Sequence, residues 1–267
     1  MAGALEMLID GAPATATDLA YLARVNYGAY TSFRVEAGGV RGLDLHLARL
    51  AASGRELFGA AVAEARLREL MRQAIVGGAD GWMRVSLFSP GITPREPGGI
   101  GSPKVAIGVF PPPLPLADGV RLQTRVYERE APHLKHTANF GLIRERRAAR
   151  ADGFDDVLFV DAGGRVSEGS LWNIGFIDGG EIVWPEAPML AGVTQALLEQ
   201  GLATAGLSSR RELVAQPDLA RFEGAFLCNS ATPACAVSAI GDQPLDVAAV
   251  PVAALRAIWA SQPCQPI

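Results

Sequence analysis

Two spacings of apolar residues divide the chain into helical and extended stretches. Over 44–58, DLHLARLAASGRELF, the residues Leu47, Leu50, Leu57 and Phe58 recur at mostly helical intervals, which predicts a helix that Asp44 caps at its start. AVAEARLRELMRQAIV predicts a second helix over 61–76, stopped by Gly77 and Gly78. The stretch 20–44, AYLARVNYGAYTSFRVEAGGVRGLD, alternates imperfectly around Tyr27, Tyr30, Phe33 and Val35 and turns at Gly38-Gly39. It predicts a strand and turn, one arm of a hairpin. WMRVSLF and VAIGVF read as strands on either side of the turn-rich TPREPGGIGSPK.

The segment 111–119, PPPLPLADG, carries four prolines that lack a backbone N–H, so it continues neither a central strand nor an ordinary helix. Beyond it come a strand in VRLQTRVYER, a helix over 137–153 ending at Gly153, and short strands DVLFVD and NIGFID around glycine turns. EIVWP adds a strand, 193–206 a helix, and GAFLCNS a strand that leads into Ser230 to Pro233. Strands recur in both halves without a regular βα repeat, which favours an α+β chain of two unequal domains over a barrel. The expected division is a smaller α/β domain over 1–110, a proline-rich linker over 111–119, and a larger domain over 120–267.

A length of 267 residues agrees with about two domains. With 49% apolar and 19% charged residues and a formal charge of -4, the chain is neither disordered nor marked by the basic footprint of a nucleic-acid binder. No run of 18 apolar residues or secretory leader is read, so neither membrane spanning nor export is expected. Cys228, Cys235 and Cys264 have no paired spacing, and a reducing cytoplasm is the simplest compartment. His46, His133 and His136 form no second ligand cluster, so no metal site is expected, and no GxSxG nucleophile elbow occurs.

Only Lys104 and Lys135 are lysines, so chemistry that needs an amine has two internal candidates. Lys135 lies in PHLKHTANF among His133, His136, Thr137 and Asn139, and a neutral lysine amine can condense with an aldehyde and shuttle a proton. A solvent-facing lysine before a helix fits the same residues. Lys104, in the GSPK turn, has less polar context. Glu168 in GRVSEG, where two strands meet in a turn, suits a carboxylate that holds a cationic ring nitrogen, or a plain surface acid. Arg49 lies beside Leu45 and Ser53 and about 100° from Leu50 on the helix, so a solvated guanidinium and one aimed at an anion both fit. The N–H groups of Val193 and Thr194 at a helix start, and the hydroxyls of Ser230 and Thr232 in NSATP, are the remaining anion donors.

Taken in order, YGAYTSFRV, LDLHLARLAAS, LKHTANFGLIRERRAARADGFDDVLFVDAGGRVSEGSLWNIGFIDG, MLAGVTQALL and FLCNSATP resemble the fold-type IV pyridoxal phosphate enzymes, the class IV aminotransferase family. The resemblance runs from near Asn26 past Ser238 and is most specific between Lys135 and Phe176. It implies an α+β, two-domain fold-type IV enzyme with pyridoxal 5'-phosphate as cofactor, bound mainly by the larger domain. Lys135 would hold the cofactor aldehyde covalently and act in catalysis, and Glu168 would sit against the pyridine nitrogen. Arg49, the N–H groups of Val193 and Thr194, Ser230 and, more weakly, Thr232 would hold the phosphate. The implied reaction is transamination between an amino acid or primary amine and a keto acid, in a cytoplasmic homodimer. Two alternatives stand beside it: an aminodeoxychorismate lyase releasing pyruvate, and a noncatalytic cofactor-binding module. Phe140 departs from the branched-chain pattern, where a tyrosine stands five positions after the lysine, and NSATPACAV departs from the usual small-hydroxyl-acidic pattern. For the substrate carboxylate, Arg24, Arg84 and Arg95 are candidates, with Arg84 preferred because strand alternation can place it on the face lining the cleft.

Overall fold

The computed structural model describes residues 7–75, 80–99 and 103–267. Two compact units are present, one comprising Met1–Pro113, Leu134–Ala138 and Pro263–Ile267, the other Leu114–His133 and Asn139–Gln262. A single cut does not describe this division, because two short later pieces rejoin the first unit's sheets through main-chain pairing.

The first unit contains β1 (Met7–Ile9), β2 (Ala12–Pro13), α1 (Ala16–Arg24), β3 (Gly28–Val35), β4 (Gly39–Arg41), α2 (Leu43–Phe58), α3 (Glu64–Ala74), β5 (Gly81–Phe88) and β6 (Lys104–Phe110). Its antiparallel sheet has the order β2-β1-β6-β5-β3, leaving one edge of β3 outside the ladder. Strand alternation sends Phe33, Val35, Met83, Val85 and Leu87 to one face, where they pack with Leu47, Leu50, Leu67, Leu70 and Met71 of α2 and α3. Tyr30, paired with Ser86, and Ser32, paired with Arg84, belong to the opposite face.

Several local expectations change. Residues 20–24 are helical: Thr15 caps α1 by accepting the Asp18 N–H at 3.1 Å, and the buried Tyr21 donates its hydroxyl to Ser89 O and Ile92 O. Asp44 does not cap α2. That position is Gly42 in a left-handed conformation with φ 68, while the Asp44 N–H donates to Gln265 Oε1 at 2.8 Å. The stop expected at Gly77 and Gly78 lies outside the described residues. Lys104 opens β6 and pairs with Asp18 at 2.8 Å, so it has more polar company than its sequence neighbours suggest.

The second unit contains β7 (Val120–Val126), α4 (Phe140–Ala151), β8 (Asp156–Val160), β9 (Val166–Gly169), β10 (Asn173–Asp178), β11 (Glu181–Pro185), α5 (Val193–Leu202), β12 (Ser209–Glu212), β13 (Gly224–Cys228), β14 (Cys235–Ile240), β15 (Gln243–Pro244) and α6 (Val252–Ser261). Its mixed sheet runs β12-β11-β10-β13-β14-β7-β8-β9, with β15 beside β14. On one face Ile177, Trp184 and Phe226 pack against Leu198 and Leu202 of α5 and Leu255 and Ile258 of α6. Ile174, Phe176, Leu158 and Val237 build a separate core. The last strand, β16 (Cys264–Pro266), pairs with β4 in the first unit. Among the described residues no helix is long and apolar enough to cross a membrane.

Candidate active site

In the first unit, Lys135 is placed by main-chain bonds that add its segment to the open edge of β3. The Tyr30 N–H donates to Lys135 O at 2.8 Å, the Thr137 N–H donates to Gly28 O at 2.8 Å, and Ala29 bridges His136. The Thr137 hydroxyl donates to Asn26 O at 2.5 Å and fastens the same edge. Lys135 is half-buried, with Nζ 5.1 Å from the centroid of the Tyr30 ring. Gly28, which accepts the Thr137 N–H, is also in tight contact with β5, where a Cβ would lie 2.4 Å from Leu87 O.

On the other face of β3, Thr31 Oγ1 and His46 Nδ1 of α2 share a hydrogen bond of 2.6 Å, and the imidazole lies against Phe33. His46 is fully buried, and burial holds its pKa well below the usual imidazole value; the positive charges of Arg49 and Lys135 lower it further. Arg49 and Lys135, far apart in sequence, therefore both act on one imidazole. Arg49 is half-buried, and its charge reaches the His46 imidazole.

Arg84 lies with its guanidinium carbon 3.6 Å from the Tyr30 ring centroid and its Nε 3.4 Å from Ser86 Oγ. Burial lowers its pKa, opposed by Tyr30, and no carboxylate pairs with it among the described residues. Arg24 instead folds back onto Ala20 O of its own helix, and Arg95 is exposed.

The second unit joins Glu168 to the start of α5. Glu168 is not in a turn: it lies on β9, 5% exposed, because Val166–Gly169 pairs with β8. Its Oε1 accepts the Leu190 N–H at 3.2 Å and lies 3.4 Å from Arg129 Nη1. Leu190 O in turn accepts Asn173 Nδ2 at 3.0 Å, which fixes the loop leading into α5. Gly192 precedes that helix, and no side chain caps it. Thr194, one residue into the helix, is buried with an Oγ1 that has no hydrogen-bond partner among the described residues. A buried hydroxyl left so, at the positive end of a helix, suits an anion.

The 229–232 turn is organised by Asn229, whose Oδ1 accepts the N–H groups of Ala231 and Thr232 at 2.9 and 2.8 Å. Asn229 Nδ2 donates to Leu171 O at 3.2 Å, and β10 register sets Asn173 opposite Cys228, so this turn lies beside the residues that follow Glu168. Ser230 is half-buried within it; Thr232 is buried and its hydroxyl accepts the Leu116 N–H at 3.1 Å. Phe140 begins α4 and is 75% exposed.

Sequence reading missed Arg129, Asn173, His46 and Tyr30 as parts of these clusters. Only His46 carried a signal, three residues before Arg49 on one helix face. Among the described residues no group of acidic, histidine and cysteine side chains suits a metal.

The family described as amino-transferase class IV matches residues 28–240. Among solved structures, the branched-chain amino acid aminotransferase of T.th., complexed with N-(5'-phosphopyridoxyl)-L-glutamate, is similar over 97% of this chain and 94% of its own, at 19% identity and a TM-score of 0.81. The branched-chain amino acid aminotransferase of Escherichia coli is similar over 97% and 92%, at 19% identity and a TM-score of 0.80. A hypothetical aminotransferase of Mycobacterium tuberculosis in its PLP-bound form is similar over 97% and 100%, at 22% identity and a TM-score of 0.77. At these identities the likeness is one of fold. No curated protein matches the sequence.

Proposed function

Because the chain belongs to the class IV aminotransferase family, we propose that it is a pyridoxal 5'-phosphate-dependent transaminase acting between an amino acid or primary amine and a keto acid. The observation that carries this reading is the joint placement of Lys135 on the β3 edge and Arg49 on α2, both within electrostatic reach of His46. The residues fit the cofactor's chemistry: an amine for its aldehyde, a buried carboxylate for its ring nitrogen, and for its phosphate the Thr194 hydroxyl at a helix start, which has no partner among the described residues.

Bound pyridoxal phosphate supplies an aldehyde that condenses with amines and a ring that accepts electron density from the substrate's α-carbon. Lys135 would hold that aldehyde, and its Nζ amine is the group that would carry the substrate's α-proton. Glu168 would sit against the ring nitrogen and favour its protonated form. Arg49, the N–H groups of Val193 and Thr194, Ser230 and Thr232 would be the groups to hold the phosphate. Arg84, a desolvated cation with no carboxylate partner among the described residues, orients the substrate carboxylate. A cytoplasmic homodimer belongs to the same reading, and sedimentation of a fully active monomer would remove its dimeric part.

The test is a matrix of amino donors and keto acceptors with wild type and Arg84→Gln at matched cofactor saturation. Keto-acid-dependent amino transfer supports the proposal, and a raised KM for carboxylate substrates in Arg84→Gln supports the arginine's role. Rapid pyruvate release from aminodeoxychorismate without transfer would make the chain a lyase. Cofactor binding with no turnover of any amine would make it a binding module.

A further inference from the structure

Glu168 and Arg129 form an ion pair from which water is largely excluded, each side chain 6% exposed. Arg129 lies in the segment after β7, well away from β9 in sequence, so the fold must bring the two together. Around them a small cavity is walled by Tyr127, Phe159 and Pro188 as well as by Ser167. Removing a carboxylate from water is costly unless a cation or several donors compensate. An apolar pair of similar volume is often as stable as a buried ion pair, so stability alone is a poor reason for this one.

Its geometry is informative. Here the Arg129 contact at 3.4 Å and the Leu190 N–H at 3.2 Å both fall on Oε1. The pair thus puts positive charge beside the carboxylate, and together with the Leu190 N–H it fixes the position of Oε1.

We propose that Arg129 is a positioning residue for the candidate site: its contact with Oε1 holds the Glu168 carboxylate in place beside a positive charge, oriented for a cationic ring nitrogen. This rests on the reading of the chain as a pyridoxal phosphate protein. In this reading Arg129 acts through Glu168.

The experiment is titration of the cofactor-free protein with pyridoxal phosphate, followed by visible absorbance and intrinsic fluorescence. Wild type, Arg129→Met, Arg129→Lys, Glu168→Gln and the double variant Arg129→Met/Glu168→Gln are compared, with circular dichroism confirming the fold of each. Arg129→Met is expected to raise the Kd by about tenfold or more, the effect of losing a charge-assisted bond, and Arg129→Lys to recover part of it. In the Glu168→Gln background the same Arg129→Met change is expected to shift the Kd by less than about twofold, because the group it acts through is already neutral. An equal loss in both backgrounds would overturn the inference and leave Arg129 a structural residue. Where Arg129→Met does not fold, Arg129→Lys is compared in both backgrounds by the same criterion. Wild type that binds no pyridoxal phosphate would instead overturn the functional reading and this inference with it.

Discussion

The backbone N–H of Leu190 donates to Oε1 of Glu168 at 3.2 Å, which ties the loop entering α5 to the strand carrying the acid. Asn173 holds the same loop through Leu190 O at 3.0 Å. Glu168 and the start of α5 are therefore positioned as one piece, although the intervening length of chain would let them drift apart in a looser fold.

Gly192 is the tight point of this piece, since a Cβ there would lie 1.9 Å from Asn173 Oδ1. Gly192→Ala is expected to cost about 1–3 kcal/mol of stability, as overpacking does. It should also weaken pyridoxal phosphate binding by displacing the Val193 and Thr194 N–H groups. Urea unfolding and cofactor titration measure the two effects, and unchanged values in both would show that the loop has room to give.

Arg49→Ala is expected to weaken cofactor affinity by about 10- to 100-fold, the equivalent of roughly 1.5–3 kcal/mol for a charge-assisted bond to phosphate. The loss should be much smaller for pyridoxal, which lacks the phosphate. Equal losses for the two ligands would assign Arg49 a role away from that group.

His46 makes stability depend on pH. Its folded pKa lies well below the unperturbed 6.5, chiefly through burial and then through Arg49 and Lys135. Between those two values the unfolded chain binds a proton that the folded chain refuses. The contribution is complete above about pH 6.5 and is lost as the pH falls towards the folded value, with a limiting slope of about 1.4 kcal/mol per pH unit. His46→Gln, able to keep a hydrogen bond to Thr31, should flatten the stability profile between about pH 6.5 and pH 5. Identical profiles for wild type and variant would remove His46 as the cause.

Much of the element order was legible because α2, α3, β5 and β6 carry their own periodicity. Lys135 stood out as one of two lysines, yet its return to β3 rests on main-chain bonds between Tyr30 and Lys135 and between Thr137 and Gly28, which leave no mark on side-chain pattern. The four residues of β9 are too few to show alternation, so the sequence pattern points to a turn at Glu168. Arg129 and Asn173 gave no signal: one is an arginine in an arginine-rich chain, the other a polar residue at a strand start. The helix α6 was not expected, although Leu255 and Ile258 stand one turn apart after Pro251, a spacing that marks a helix. NSATP points to the Ser230 and Thr232 hydroxyls, but nothing in it shows that Asn229 shapes the turn that carries them.

The central claim, that Lys135 carries the cofactor, is tested most directly by borohydride reduction of the protein loaded with pyridoxal phosphate, followed by peptide mapping. Lys104 serves as the internal control, being the other lysine of the chain and paired with Asp18 at 2.8 Å. The account predicts one equivalent of cofactor fixed on the peptide containing Lys135, with loss of labelling in Lys135→Ala. Label on Lys104, or no label on folded protein saturated with the cofactor, would contradict it.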